Sequence, residues 1–177
     1  NWNINANVSY NHNEIKALYN GLDEYVVSTT GTKYVVGHSY GEFFLNRYAG
    51  VNPINGDSLW YTKDGEITTE FNESDKVMIG KSYIAPWQGG FGTSLSWRGL
   101  SLSAQFSWVA DRWMFNNDRF FEESNGLYSS YNQSRRLLYD RWKQPGDVTD
   151  IPRYGVTPQM DSRFLEDASF LRLKNVM

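Results

Sequence analysis

The first ten residues alternate without a break. Trp2, Ile4, Ala6, Val8 and Tyr10 are apolar or aromatic, while Asn1, Asn3, Asn5, Asn7 and Ser9 are polar. A period of two sends the two sets to opposite faces of a β-strand, one greasy and one wet. Asparagine is a poor strand former, so a row of them on one face calls for hydrogen-bonding neighbours in a wet surround. A water-filled lumen supplies such a surround.

The same pattern recurs at a hairpin. Phe91, Thr93, Leu95 and Trp97 alternate with Gly92, Ser94 and Ser96, and Arg98-Gly99 supplies a two-residue turn. The return strand sets Leu100, Leu102, Ala104, Phe106 and Trp108 against Ser101, Ser103, Gln105 and Ser107. A last segment, Ser169 to Met177, places Leu171 and Leu173 opposite Arg172 and Lys174, with a slip of phase around Asn175-Val176. The connections are uneven. One is two residues long, whereas Asn11 to Gln88 and Asp111 to Glu166 are long and rich in Gly, Asn, Asp and Tyr. Membrane β-barrels have short periplasmic turns, long extracellular loops and an apolar band about 25 Å tall between aromatic girdles. Trp2 and Tyr10 lie roughly 26 Å apart along an extended strand, or about 19 Å in depth at a tilt near 45°.

The expected fold is therefore all-β, a portion of a large antiparallel transmembrane β-barrel with long extracellular loops. Residues 1–177 form part of one barrel domain. Spanning strands lie near 1–10, 89–97, 100–110 and 167–177, extracellular loops near 11–88 and 111–166, and a periplasmic turn at 98–99. The loops carry turn signals at Thr30-Gly31, Asn55-Gly56 and Asp64-Gly65 and are expected to hold small hairpins of their own. The best helix candidate is Asn132 to Trp142. A soluble β-sandwich alternates in the same way, with core in place of lipid, and the pattern alone does not choose between the two. Four strands cannot close a barrel, so the barrel reading expects the rest of the wall in sequence beyond this stretch. The chain is accordingly read as starting and stopping inside strands.

Composition bears on what is excluded. Aromatics make up 16% of the chain, yet the mean hydropathy is polar at -0.58, a combination that suits a surface between two media or a glycan-binding sandwich. The net charge of -3 leaves no electrostatic footprint for nucleic acid. Without Cys there are no disulfides, thiolate metal sites or cysteine nucleophiles. No apolar run is long enough for a transmembrane helix, which a barrel does not need.

Segments further along the chain resemble the SusC/RagA family of outer-membrane transporters. The run from Gly41 to Gly65, GEFFLNRYAGVNPINGDSLWYTKDG, is similar to that family's "YxGVDPxTGxPLYYDxDG" stretch. Ile79-Gly80, Pro86 and Gly89-Gly90-Phe91 match the "IGxxxPxxxGGF" run that follows it. Thr93 to Trp108 fits a "TxxxSYKGxDLSxxFSW" hairpin, Arg141 to Arg153 an "RWxxPGDxTDxPR" loop, and Asp161 to Val176 an "SRFxEDxSYLRLKNV" strand. These matches run in order over most of the chain, and Asn52 departs where the family often has Asp. The resemblance implies the C-terminal barrel region of a TonB-dependent importer of oligosaccharides or peptides in the bacterial outer membrane. It further implies a SusD-like surface lipoprotein as partner and coupling to TonB through an N-terminal plug and TonB box absent from this sequence.

No residue is assigned to catalysis, metal or cofactor. His12 and His38 sit in loop-like stretches without ligand spacing, and Glu122-Glu123 are adjacent, so on an extended chain they point apart. Asp57, Asp64 and Glu66 offer oxygens for a loop Ca²⁺ without EF-hand spacing; turn chemistry is the simpler reading. Trp60, Tyr61, Trp87, Trp113 and Trp142 are the candidates for contact with ligand or lipoprotein lid, set against plain loop packing. Trp2, Tyr10, Trp97 and Trp108 are assigned to lipid-facing or girdle positions. Arg135, Arg136, Arg141 and Arg153 are expected to brace loops by pairing with carboxylates. Two other functions stay open on the residues alone: a secreted aromatic-rich β-sandwich that binds glycans, and part of a glycoside hydrolase.

Overall fold

The alternating segments pair with one another. In the computed structural model, which describes residues 1–27 and 29–177, β1 (Trp2–Tyr10) leads into a long excursion. This holds β2 (Glu24–Val27), β3 (Thr32–Val35), β4 (Glu42–Leu45), β5 (Arg47–Val51), β6 (Ser58–Tyr61), β7 (Ile67–Thr68) and β8 (Val77–Ser82). β9 (Trp87–Trp97) and β10 (Leu100–Ala110) form a hairpin. A second excursion carries β11 (Trp113–Phe115), α1 (Asn117–Glu122), α2 (Arg136–Tyr139) and β12 (Leu165–Asp167), and β13 (Phe170–Val176) comes last.

β1, β9, β10 and β13 make one antiparallel sheet in that order. Residues directly opposite share a face, and the register keeps the two chemistries apart. One row runs Ala6, Phe91, Phe106, Leu173, with the Phe91 and Phe106 rings stacked at 4.6 Å. The next row, on the other face, runs Asn7, Gly90, Ser107, Arg172. At the turn, Arg98 and Gly99 take φ of 48° and 88°, the two positive values of a type I′ turn, whose twist suits the flanking strands. The phase slip expected near Asn175 is a β-bulge one residue earlier. Gln105 faces Asn175 and Phe106 faces Leu173, which leaves Lys174 without an opposite and returns Val176 to the apolar face against Ala104.

No second sheet covers the apolar face among the described residues. Trp2, Ile4, Val8, Leu100, Leu102 and Leu171 are all exposed, Trp2 at 68% and Leu100 at 71%. A sandwich would bury this face against a partner sheet, whereas here it is bare. The buried hydrophobics, Phe43, Leu45, Trp60, Leu137, Ile151 and Phe164, all lie in the two excursions, which form a packed outer module of their own. There β2, β3, β4 and β8 make one sheet and β5, β6 and β7 another. Gly56 and Gly65 turn the β5–β6 and β6–β7 connections with φ of 77° and 91°. The helix expected over Asn132 to Trp142 shrinks to α2, a single turn. α1, which no periodicity announces, starts from Asn116, whose side chain accepts the Arg119 N–H.

One glycine is fixed by packing. A Cβ at Gly89 would stand 2.3 Å from the Asn7 carbonyl oxygen and 2.9 Å from the Trp108 ring, which lies across the gap. At Gly92 the clashing atoms are the ends of the Gln105 and Asn5 side chains, which are free to swing aside. Gly89→Ala is expected to destabilise the β1–β9 pairing by about 1–3 kcal/mol, and Gly92→Ala by under ~1 kcal/mol. The check is the temperature at which the full-length protein loses its folded gel mobility; equal shifts for the two variants would contradict the register.

Candidate functional site

The four-stranded sheet of β1, β9, β10 and β13, the wall sheet, presents two chemically unlike faces. On the apolar face, aromatics stand toward both ends. Trp2 and Trp97 lie near the tight turn, and Tyr10 packs on Trp87 at 4.4 Å near the other end. Aliphatic and phenyl side chains fill the span between. Trp2 is 68% and Trp97 61% exposed, Tyr10 is 56% exposed, and Trp108 is half-buried across Gly89. The Trp2 indole N–H donates to Thr93 Oγ1 at 2.8 Å, which satisfies its polar atom within the sheet. The opposite face carries amides and hydroxyls. The Gly90 N–H donates to Asn7 Oδ1 at 2.7 Å, and the Ser96 and Ser101 hydroxyls meet at 3.1 Å.

The outer module is held by buried charge as well as apolar packing. Glu123 is fully buried at the end of α1, and its Oε1 accepts from Arg119 Nε at 3.1 Å and Arg136 Nη1 at 2.5 Å. Arg119 also reaches Asp150 and Glu166, each at 2.9 Å, and Arg136 reaches Asp150 at 2.8 Å. Five side chains from α1, α2, β12 and the 140–150 loop thus form one network. Burial alone would raise the Asp150 carboxyl, but Arg136 and Arg119 outweigh it and hold the group below its ordinary value. A second buried polar pair joins the excursions: Trp60 Nε1 donates to Asp161 Oδ2 at 2.7 Å. Burial pushes the Asp161 carboxyl up, against the opposing pull of Trp60 and Arg163.

The five loop aromatics singled out from sequence do not share a surface. Trp60 is core, 6% exposed and edge-on to Phe71 and Tyr48. Its indole N–H donates to Asp161, so of the two readings set out for it the structure places it in loop packing. Tyr61 is half-buried beneath the Arg47 guanidinium. Trp87 belongs to the wall, in the Tyr10 pair. Trp113 lies under Lys81 Nζ at 4.6 Å and donates to Asp111, at the junction of wall and module. Trp142 packs over Gly56, where any side chain would strike its ring, and donates to the Pro53 carbonyl. A tyrosine cluster escapes sequence reading because its members are scattered. Tyr34 stacks on Tyr40 at 4.9 Å, with Tyr25 and Tyr83 beside them.

Of the arginines, Arg136 and Arg153 pair with carboxylates, Arg153 with Asp57 at 2.9 Å. Arg135 and Arg141 instead lie over Tyr139 and Tyr154. Arg119, the busiest, has an i,i+4 partner in Glu123, but its other carboxylates, Asp150 and Glu166, reach it only through the fold. Asp57, Asp64 and Glu66 do not converge, and among the described residues no group of three or more His, Asp or Glu side chains is placed to hold a metal ion. Gly37-His38-Ser39-Tyr40-Gly41 has the Gly-x-Ser-x-Gly spacing of a hydrolase nucleophile elbow. An elbow needs a strand-to-helix turn, whereas here the loop joins β3 to β4. Ser39 Oγ donates to Asn13 Oδ1 at 3.0 Å, and His38 faces Glu42 at 3.2 Å instead of the serine. The spacing is loop chemistry.

These features define an antiparallel β-wall with unlike faces, surmounted by a loop-built module. No protein-family model matches the sequence, and no curated protein matches it. Among solved structures, the chain is similar to one described as the RagAB peptide transporter, at 38% identity with a TM-score of 0.89. It is also similar to the RagAB peptide importer in its "open-open" state (40%, 0.84) and its "closed-closed" state (39%, 0.85). Each match covers 99% of this chain and 20% of the other, so the chain spans about a fifth of the length of the proteins it matches. Over 99% of its length the chain therefore resembles the SusC/RagA family of TonB-linked outer-membrane transporters, to which its sequence segments also point.

Proposed function

We infer that this chain supplies part of the wall and outer loops of a β-barrel that imports peptides across the bacterial outer membrane. The observation that carries the reading is the bare apolar face of β1, β9, β10 and β13, backed by an uncharged polar face on β1, β9 and β10. That arrangement suits lipid outside and water inside. In this reading the four strands span the bilayer, Arg98-Gly99 is the periplasmic turn, and the two excursions stand outside the cell. Peptides are favoured over oligosaccharides because the similar solved structures are described as peptide importers. The family resemblance adds a SusD-like lipoprotein above the loops and TonB-driven energy coupling from elsewhere in the protein. Tyr61, Trp113 and Trp142 stay proposed as contacts for solute or lipoprotein.

The test uses the full-length protein. It should leave membranes only with detergent, run faster on gels unheated than heated, and co-purify with a lipid-anchored surface protein. Cells lacking it should lose uptake of short peptides. A full-length protein freely soluble in buffer, or peptide uptake unchanged by its deletion, ends the proposal.

A further inference from the structure

None of the four wall strands contains an aspartate or glutamate, although the whole chain has 20. On the polar face of β1, β9 and β10 every side chain is neutral: Asn, Gln or Ser, with glycines and Val109 between. Charge enters only on β13, with Arg172 and the bulged Lys174, and both are cationic. None of the ion pairs among the described residues includes either of them. Cations paired with nothing on their own wall, beside a neutral donor-rich surface, form a one-signed field that a confined, low-dielectric channel focuses.

The surroundings of Arg172 give that field a shape. Its row across the sheet is Asn7, Gly90, Ser107, Arg172. Gly90 keeps the floor low, and its N–H occupies Asn7 Oδ1, which leaves the Asn7 amide hydrogens as donors on the open face. The Arg172 guanidinium leans over the Phe170 ring at 4.9 Å. The next row, Ser9, Gln88, Val109, Phe170, helps line a recess of about 330 Å³ that Asn7 and Ser107 also border. Arg172 and Ser107 stand opposite each other on neighbouring strands and offer a guanidinium and a hydroxyl to a carboxylate, while Asn7 lies two strands further along the row. Val109 and Phe170 beside them accept an apolar side chain.

We propose that this face of the wall selects for peptides bearing carboxylates, with Arg172 as the residue that reads the negative charge and Lys174 adding to the field. The proposal rests on the peptide-import reading and names the solute class for it. The experiment measures uptake by cells carrying the full-length transporter, using peptides of one length and one apolar content that differ only in Glu, Gln or Lys at two positions. The unaltered protein should take up the Glu peptide fastest. Arg172→Gln should slow the Glu peptide about fivefold to tenfold while the Gln peptide stays within about twofold, and Arg172→Lys should restore most of the preference. An unchanged Glu preference in Arg172→Gln overturns the proposal. So does an equal loss for all three peptides, which would give Arg172 to an acidic group of the protein's own interior. If the unaltered protein imports none of them, the import reading itself falls, and this proposal with it.

Discussion

Ala6→Arg in the full-length protein should sharply reduce the folded, membrane-inserted form, while Asn3→Arg, three residues away on the other face, should leave it nearly intact. Ala6 sits in the middle row of the apolar face with Phe91, Phe106 and Leu173, midway between the Trp2 and Tyr10 ends. An arginine at the bilayer midplane of a β-barrel costs about 2–4 kcal/mol, and one on the lumen side carries no such depth-dependent penalty. That is roughly a 30-fold to 1,000-fold change in the folding equilibrium. The comparison is informative because both residues are exposed here. In a water-soluble protein, exposed substitutions of this kind usually stay within about 0.5 kcal/mol. Urea titration of the protein refolded into lipid vesicles measures the difference. Equal stability of the two variants would remove lipid from the account of this face.

How much of this was legible beforehand depends on the physics of each part. The wall was readable because strand periodicity is local. Every second residue of Trp2 to Tyr10 declares its face, and Arg98-Gly99 declares its turn. The bulge was visible as a slip of phase, though its position at Lys174 needed the partner strand. The outer module was much less legible. Its strands are two to six residues long, too short for a period to stand out, and α1 is six residues with only Asn116 to mark it. Trp60 misled for a physical reason: in sequence, an aromatic that binds a solute and one that fills a core look the same. Only burial and the Asp161 carboxylate, 101 residues away, separate the two. Arg119 and Glu123 were missed as a hub because their partners Arg136, Asp150 and Glu166 come together only through tertiary structure.

That hub sets up the second large effect. Arg119→Ala should loosen the outer module without unfolding the wall. The arginine serves three carboxylates, and its loss leaves Glu123, fully buried, with Arg136 as its one remaining cation. Removing one partner of a buried ion pair typically costs about 3–5 kcal/mol, since the other charge is stranded in a poor solvent. Amide exchange and protease cutting over residues 111–166 of the full-length protein should therefore rise about a hundredfold or more, with β1, β9 and β10 still protected. Arg135→Ala, which gives up only a stacking contact with Tyr139, should change little. The pH dependence has a definite sign. Asp150 is held below its ordinary value, so its contribution is present at neutral pH and fades only as the pH drops through and below the usual carboxylate range, near ~4. Added salt, which screens exposed pairs far better than buried ones, should not reproduce the Arg119→Ala effect. If it does, the network is a surface feature and the apolar core around Phe164 and Ile151 alone holds the loops.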